Sequence, residues 1–254
     1  SAASDVYKRQ PRRRLPLILH KLWSPLPELP KVKSNSIFEP LYNAYTHLDN
    51  LATYKCPKGC AECCKDFFLI TEREYLYIAV YLLNHKTEDE IIKYTKKASK
   101  IKKDFYALYP ELQFKFKSTM TYIDYIKFYT FVASQNRVST DSCIFLNRKG
   151  KCDIYPVRPL VCRTYGNFLF SNTGYCHHKP DKYLNLPKEL EEEYSLYDVY
   201  DKKIVRTRYP IFEWFADVFE LQRRTGFIDA SFDLTERDFA IFTLMPNKRD
   251  LHTP

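Results

Sequence analysis

The chain has 254 residues, 45% hydrophobic and 28% charged, which is ordinary for a globular protein and long enough for one well-filled core. Glycine occurs only 5 times, so the glycine-rich phosphate loops of nucleotide enzymes and the usual S-adenosylmethionine loop are excluded, while 21 Tyr and 18 Phe supply too much buriable surface for a disordered chain. The net charge of +9 overstates any basic surface, because Lys8, Arg9, Arg12, Arg13 and Arg14 crowd into the first residues and thiolates on divalent metals would cancel most of the remainder, so nucleic acid is not the expected partner.

Taken from the start, residues 1–14 read as a non-native or disordered tail, and residues 15–254 as a single domain whose cysteine-cluster region spans 56–176. The apolar run 15–19 follows Arg12, Arg13 and Arg14 as a signal-peptide core would, but it is too short, and His20 and Lys21 interrupt it. Neither it nor 75–83 approaches the ~20 residues needed to cross a bilayer, so no membrane partner and a cytoplasmic location are expected. Residues 56–64 then hold Cys56, Cys60, Cys63 and Cys64. On a helix these would fall at i, i+4, i+7 and i+8, facing one side. Pro57 suits a first helical turn, but Gly59 makes a loop entering a helix near Cys60 equally acceptable.

Thr71 with Glu74 forms a capping box that opens a helix over 72–85. Thr87 with Glu90 repeats the device and opens a long helix over 88–108, basic on its outer face. Lys96, Lys97, Lys100, Lys102 and Lys103, followed by Phe105, Tyr106 and Tyr109, fit the solvated side of that amphipathic helix better than an RNA site. The second cysteine group is Cys143, Cys152, Cys162 and Cys176. Residues 147–150 read as a turn between extended pieces at 144–146 and 152–155, and Pro156 and Pro159 stiffen the next segment. Arg158 and Arg163 lie beside the cysteines, where they either polarise thiolates or are ordinary surface arginines. His177 and His178 follow Cys176 as exposed loop residues or alternative nitrogen ligands. Pro187 and Pro210 each start a helix. The second carries Ile211, Trp214, Phe215, Val218, Phe219 and Leu221 as core residues and ends before Gly226. The acidic run 189–193 reads as a solvated face, and 238–245 as a last helix or strand. The expected fold is mainly α, a helical domain with short irregular β and loop segments around a cysteine-rich metal-binding core.

All eight cysteines fall within 56–176. Thiolates are ligands for zinc and for iron–sulfur clusters, which take four donors each. A disulfide framework would suit a small secreted chain instead. Buried cysteines are common singly, not as a tandem Cys63–Cys64 pair. A redox dithiol at Cys60 and Cys63 lacks the surrounding βαβ pattern. Eight thiols could serve two tetrahedral zinc sites, a zinc pair with bridging sulfurs, or a 4Fe–4S cluster with spare ligands. No paired nucleophile and base supports hydrolase chemistry, and no catalytic residue is assigned.

The pattern CxxxCxxCC, followed by Thr71-Glu72-Arg73-Glu74 and later by Cys143-x8-Cys152-Asp-Ile154-Tyr155-x-x-Arg158-Pro159-x-x-Cys162-Arg163, resembles the YkgJ-type cysteine-cluster family. That resemblance implies a zinc- or iron-chelating domain, mostly bacterial and cytoplasmic, with no settled reaction. One branch sharing the cluster, the flagellin lysine N-methylases (FliB-like), implies an iron–sulfur-dependent modifying enzyme as the alternative. Those proteins tend to be longer, and their C-terminal extensions have no match here.

Overall fold

The structure, a computed structural model, describes residues 28–52, 60–61, 64, 69–110, 143–165, 209–219, 231–232 and 234. The expectations at residues 1–14, 187, 189–193, 221–226 and 238–245 lie outside the described residues. Within them the chain is mostly helical, as expected.

The first helix, α1 (Glu39–Leu51), has Pro40 in its opening turn and Glu39 at its positive end. Its N-cap Phe38 contributes no side-chain cap. The entry is fixed instead by burial of Ile37 and Phe38 and by the Ile37 amide, which donates to the Leu234 carbonyl at 2.8 Å. Leu41, Ala44, Tyr45 and Leu48 form the buried stripe at helical spacing. No helix was expected here from the sequence.

Two residues of strand, β1 (Leu69–Ile70), lead into α2 (Glu72–His85), whose capping box at Thr71 and Glu74 is made in both directions. Every residue from Tyr75 to Leu82 is buried, so α2 is the central helix of the core rather than a half-solvated one. The second capping box, at Thr87 and Glu90, opens α3 (Glu88–Leu108). That helix buries Ile91, Tyr94, Ala98, Ile101 and Phe105 along one stripe, while Lys93, Lys96, Lys100 and Lys103 face solvent. Both helices have the bounds expected from their caps. Among the described residues no helix is long and apolar enough to cross a membrane.

Among the described residues the next α-helix is a short one, α4 (Leu160–Thr164). The chain returns to the core through β2 (Tyr209–Pro210), antiparallel to β1 with Leu69 opposite Pro210 and Ile70 opposite Tyr209. Another short α-helix, α5 (Ile211–Glu213), passes into a π-helical turn over Trp214–Val218. Ile211, Trp214, Phe215 and Phe219 are buried, as the helical spacing predicted, and Phe212, which that reading did not include, is buried with them. Trp214 stacks on Tyr75 at 4.7 Å and donates its indole N–H to the Ile70 carbonyl at 3.3 Å. Phe215 packs edge-on against Tyr75 and Phe145, and Phe212 lies tilted against Phe105. At the end of α5 the buried Glu213 carboxylate accepts from the Tyr106 hydroxyl and pairs with Lys102 at 3.2 Å. Among the described residues the buried aromatic side chains form one cluster that joins α1, α2, α3 and the segment opened by α5.

Candidate metal centre

Five of the eight candidate cysteines lie among the described residues, Cys60, Cys64, Cys143, Cys152 and Cys162. All five are thiols rather than half-cystines, and all are half-buried. Cys56, Cys63 and Cys176, with His177 and His178, lie outside the described residues. The first group does not ride on one unbroken helix. Cys60 and Ala61 are non-helical, and the Cys64 amide donates to the Ala61 carbonyl at 3.1 Å. The loop reading of this stretch is therefore the one the described residues follow.

The second group begins against the first. The Cys143 amide donates to the Cys64 carbonyl at 2.6 Å, so two stretches remote in sequence meet at their cysteines. From there the chain makes a compact loop. Asn147 organises it, its side-chain oxygen accepting from the amides of Lys149 at 2.9 Å and Lys151 at 3.0 Å. Gly150 takes φ 68°, a left-handed conformation that would strain a residue with a Cβ. The two extended pieces expected on either side shrink to a single bridge, Leu146 opposite Cys152. The reason is burial. Ile144, Phe145 and Ile154 turn inward to join the aromatic core, which a flat hairpin would not allow.

Helix α3 holds this loop with two side chains. Lys97 donates to the Cys143 carbonyl at 2.7 Å and to the Leu146 carbonyl at 3.3 Å. Tyr94 donates to Asp153 at 2.9 Å, whose other oxygen accepts from the Asn147 amide group at 2.7 Å. Burial pushes the Tyr94 and Tyr81 hydroxyls above their ordinary acidity range. The Asp153 carboxylate and the Cys152 sulfur push in the same direction.

Beyond Cys152 a 3-10 turn, Tyr155–Val157, leads to Arg158, Pro159 and helix α4, which carries Cys162. The Leu160 amide donates to Glu74 of α2 at 2.8 Å. Arg163 is not a surface residue. It is 2% exposed and binds the carbonyls of Arg158 and Pro156, the carboxylate of Asp49 and the face of Tyr45. Arg158 lies over Tyr155 at 4.1 Å and reaches Asp49 at 3.8 Å. Sequence reasoning saw both arginines but had no local signal for residue 49, which is remote in the chain.

Among the described residues no group of three or more His, Cys, Asp or Glu side chains is placed to hold a metal ion. The structure thus brings together the backbones of Cys64 and Cys143 and ties Cys152 and Cys162 to the helical core. The donor chemistry nonetheless fits zinc or iron: the described members are half-buried thiols.

The described residues define a mostly helical protein whose aromatic core has Cys143 and Cys152 packed against it. Residues 55–186, more than half of the chain, match the CxxCxxCC family model, described as "Putative zinc- or iron-chelating domain", and the chain belongs to that family. Its first interval, Cys56 to Cys60, is one residue longer than the family's name spells. Comparison with curated proteins and with solved structures found no match.

Proposed function

We propose that the chain is a metal-binding module that holds zinc or iron on thiolates from both cysteine groups, Cys56, Cys60, Cys63 and Cys64 with Cys143, Cys152, Cys162 and Cys176. The observation that supports this most directly is the backbone hydrogen bond from Cys143 to Cys64, which draws the two groups into one neighbourhood. A tight cysteine run closed by distant cysteines is a design in which metal binding and folding reinforce each other. When bound, zinc would supply a rigid, redox-silent tetrahedral node, whereas iron or an iron–sulfur cluster would add redox capacity. The chain's own residues bind and orient that group, and no reaction is assigned.

The test is elemental analysis of the full chain purified without oxygen, beside Cys64→Ser and Cys143→Ser. The expected result is tightly held zinc or iron in the wild type, with less in each variant. A sulfur-to-iron absorption band in the visible would assign iron, since zinc is colourless. Metal-free wild type, or variants with unchanged metal content, would overturn the proposal.

A further inference from the structure

Helix α4 is five residues long, too short to hold its shape alone. Its N-cap, Pro159, makes no side-chain cap. The groups that fix it come from outside. At its start Glu74 of α2 accepts from the Leu160 amide. At its end stands Arg163, the residue after Cys162. Its Nε donates to the Arg158 carbonyl at 3.1 Å, one terminal nitrogen to the Pro156 carbonyl and the other to Asp49, while the guanidinium plane covers Tyr45 at 4.0 Å. Tyr45 and Asp49 are one turn apart on α1, so the fork and the face of a single guanidinium are both read by that helix. Asp49 is exposed, whereas Arg163 is closed off from water. Helix α1 contains no cysteine and ends before the matched family span begins.

We propose that Arg163 is a positioning residue for the metal centre, through which α1 sets where Cys162 presents its sulfur. This rests on the metal-binding reading above. The two carbonyls it binds, at residues 156 and 158, belong to the turn that precedes α4. One side chain therefore clamps both ends of the segment that delivers Cys162. Lysine at this position would keep the charge but lose the planar fork that reaches three acceptors while lying on a ring.

The experiment compares full-length wild type, Arg163→Lys, Asp49→Asn and Cys162→Ser, demetallated under reducing, oxygen-free conditions and titrated with Co²⁺, whose thiolate charge-transfer absorption reports sulfur ligation. A protein that retains iron is read by its own sulfur-to-iron band instead. Arg163→Lys and Asp49→Asn are expected to keep the helical circular dichroism. They should bind metal about 10- to 100-fold more weakly, the usual cost of losing a group that orients a ligand. They should also lose charge-transfer absorption per bound ion in the same sense as Cys162→Ser. If Arg163→Lys does not fold, Asp49→Asn, altered at an exposed position, decides. Wild-type affinity and absorption in the variants overturn the inference, as does a lowered melting temperature without spectral change. A Cys162→Ser protein spectrally identical to wild type overturns it too, leaving the metal reading intact. Wild type that neither carries metal nor takes up Co²⁺ overturns both.

Discussion

Thr71 and Thr87 open their helices with the same four-residue signature, yet the two glutamates that complete it do different work. Glu90 is half-exposed and stays within its own helix start, accepting from the Thr87 amide at 2.9 Å and pairing with Lys86 at 3.5 Å. Glu74 is buried and divides its oxygens, one taking the Thr71 amide at 2.9 Å and the other the Leu160 amide at 2.8 Å. A glutamine side chain has one acceptor and one donor end, so at residue 74 its amide nitrogen must meet a backbone N–H. Glu74→Gln should therefore cost about 1–3 kcal/mol, and Glu90→Gln no more than about 0.5 kcal/mol, compared by urea denaturation. Glu90 also predicts a pH dependence. The Thr87 backbone N–H holds its carboxyl below the ordinary value, with smaller help from Lys86 against a small opposing effect of burial. A depressed carboxyl stabilises the fold above its unfolded value of roughly 4.3 and loses that contribution as pH falls through the lower folded value. An acid titration of wild type should show this small increment disappearing, and Glu90→Gln should lack it. The caps of α2 and α3 were legible because every group in them lies within four residues. The second partner of Glu74, like that of Arg163, was not, because it arrives from a distant part of the chain.

At the level of elements, local chemistry explains the long helices and tertiary contact explains the rest. Helix α1 carried a readable signal in Pro40 and the spacing of Leu41, Ala44, Tyr45 and Leu48, but its N-cap Phe38 offers no capping side chain, and the Phe38 amide donates instead to the Ser36 hydroxyl at 3.2 Å. The residues after Pro210 were read correctly as a buried helical face, yet not as a π turn. There the Phe219 amide reaches back to the Trp214 carbonyl, five residues away. Nothing in the local pattern asks for that wider turn. Trp214 is held instead by β1, through the Ile70 carbonyl, and by α2, through the Tyr75 ring. Trp214→Ala should cost about 3–5 kcal/mol, as large aromatic truncations in cores do. Trp214→Phe keeps a ring on Tyr75 and loses chiefly the hydrogen bond, so about 1–3 kcal/mol is expected. Equilibrium denaturation of the two variants checks the order. Equal losses would mean that the stacking adds nothing beyond the bond.

Across the whole molecule, the cysteine-bearing stretches and the core have separable sources of stability. The rings of Tyr75, Phe105, Phe212, Trp214 and Phe215 pack among α2, α3 and α5 without any cysteine between them. The segment 143–165, in contrast, is tied to that core by Lys97, Tyr94, Glu74 and Arg163 at a handful of polar points, and by inward-turned Ile144, Phe145 and Ile154. Removing bound metal should consequently loosen the second cysteine group before the helices melt, because local opening follows the region with the fewest buried contacts. With a thiol reductant present, chelation of the metal-loaded protein is expected to leave the far-ultraviolet helical signal nearly intact. It should lower the melting temperature, as loss of any ligand specific to the native state must, and expose cleavage sites within 143–165 to limited proteolysis. Collapse of the helical signal on chelation would show instead that the thiolate centre, and not the aromatic cluster, holds the fold together, as in domains that are unfolded until their metal arrives.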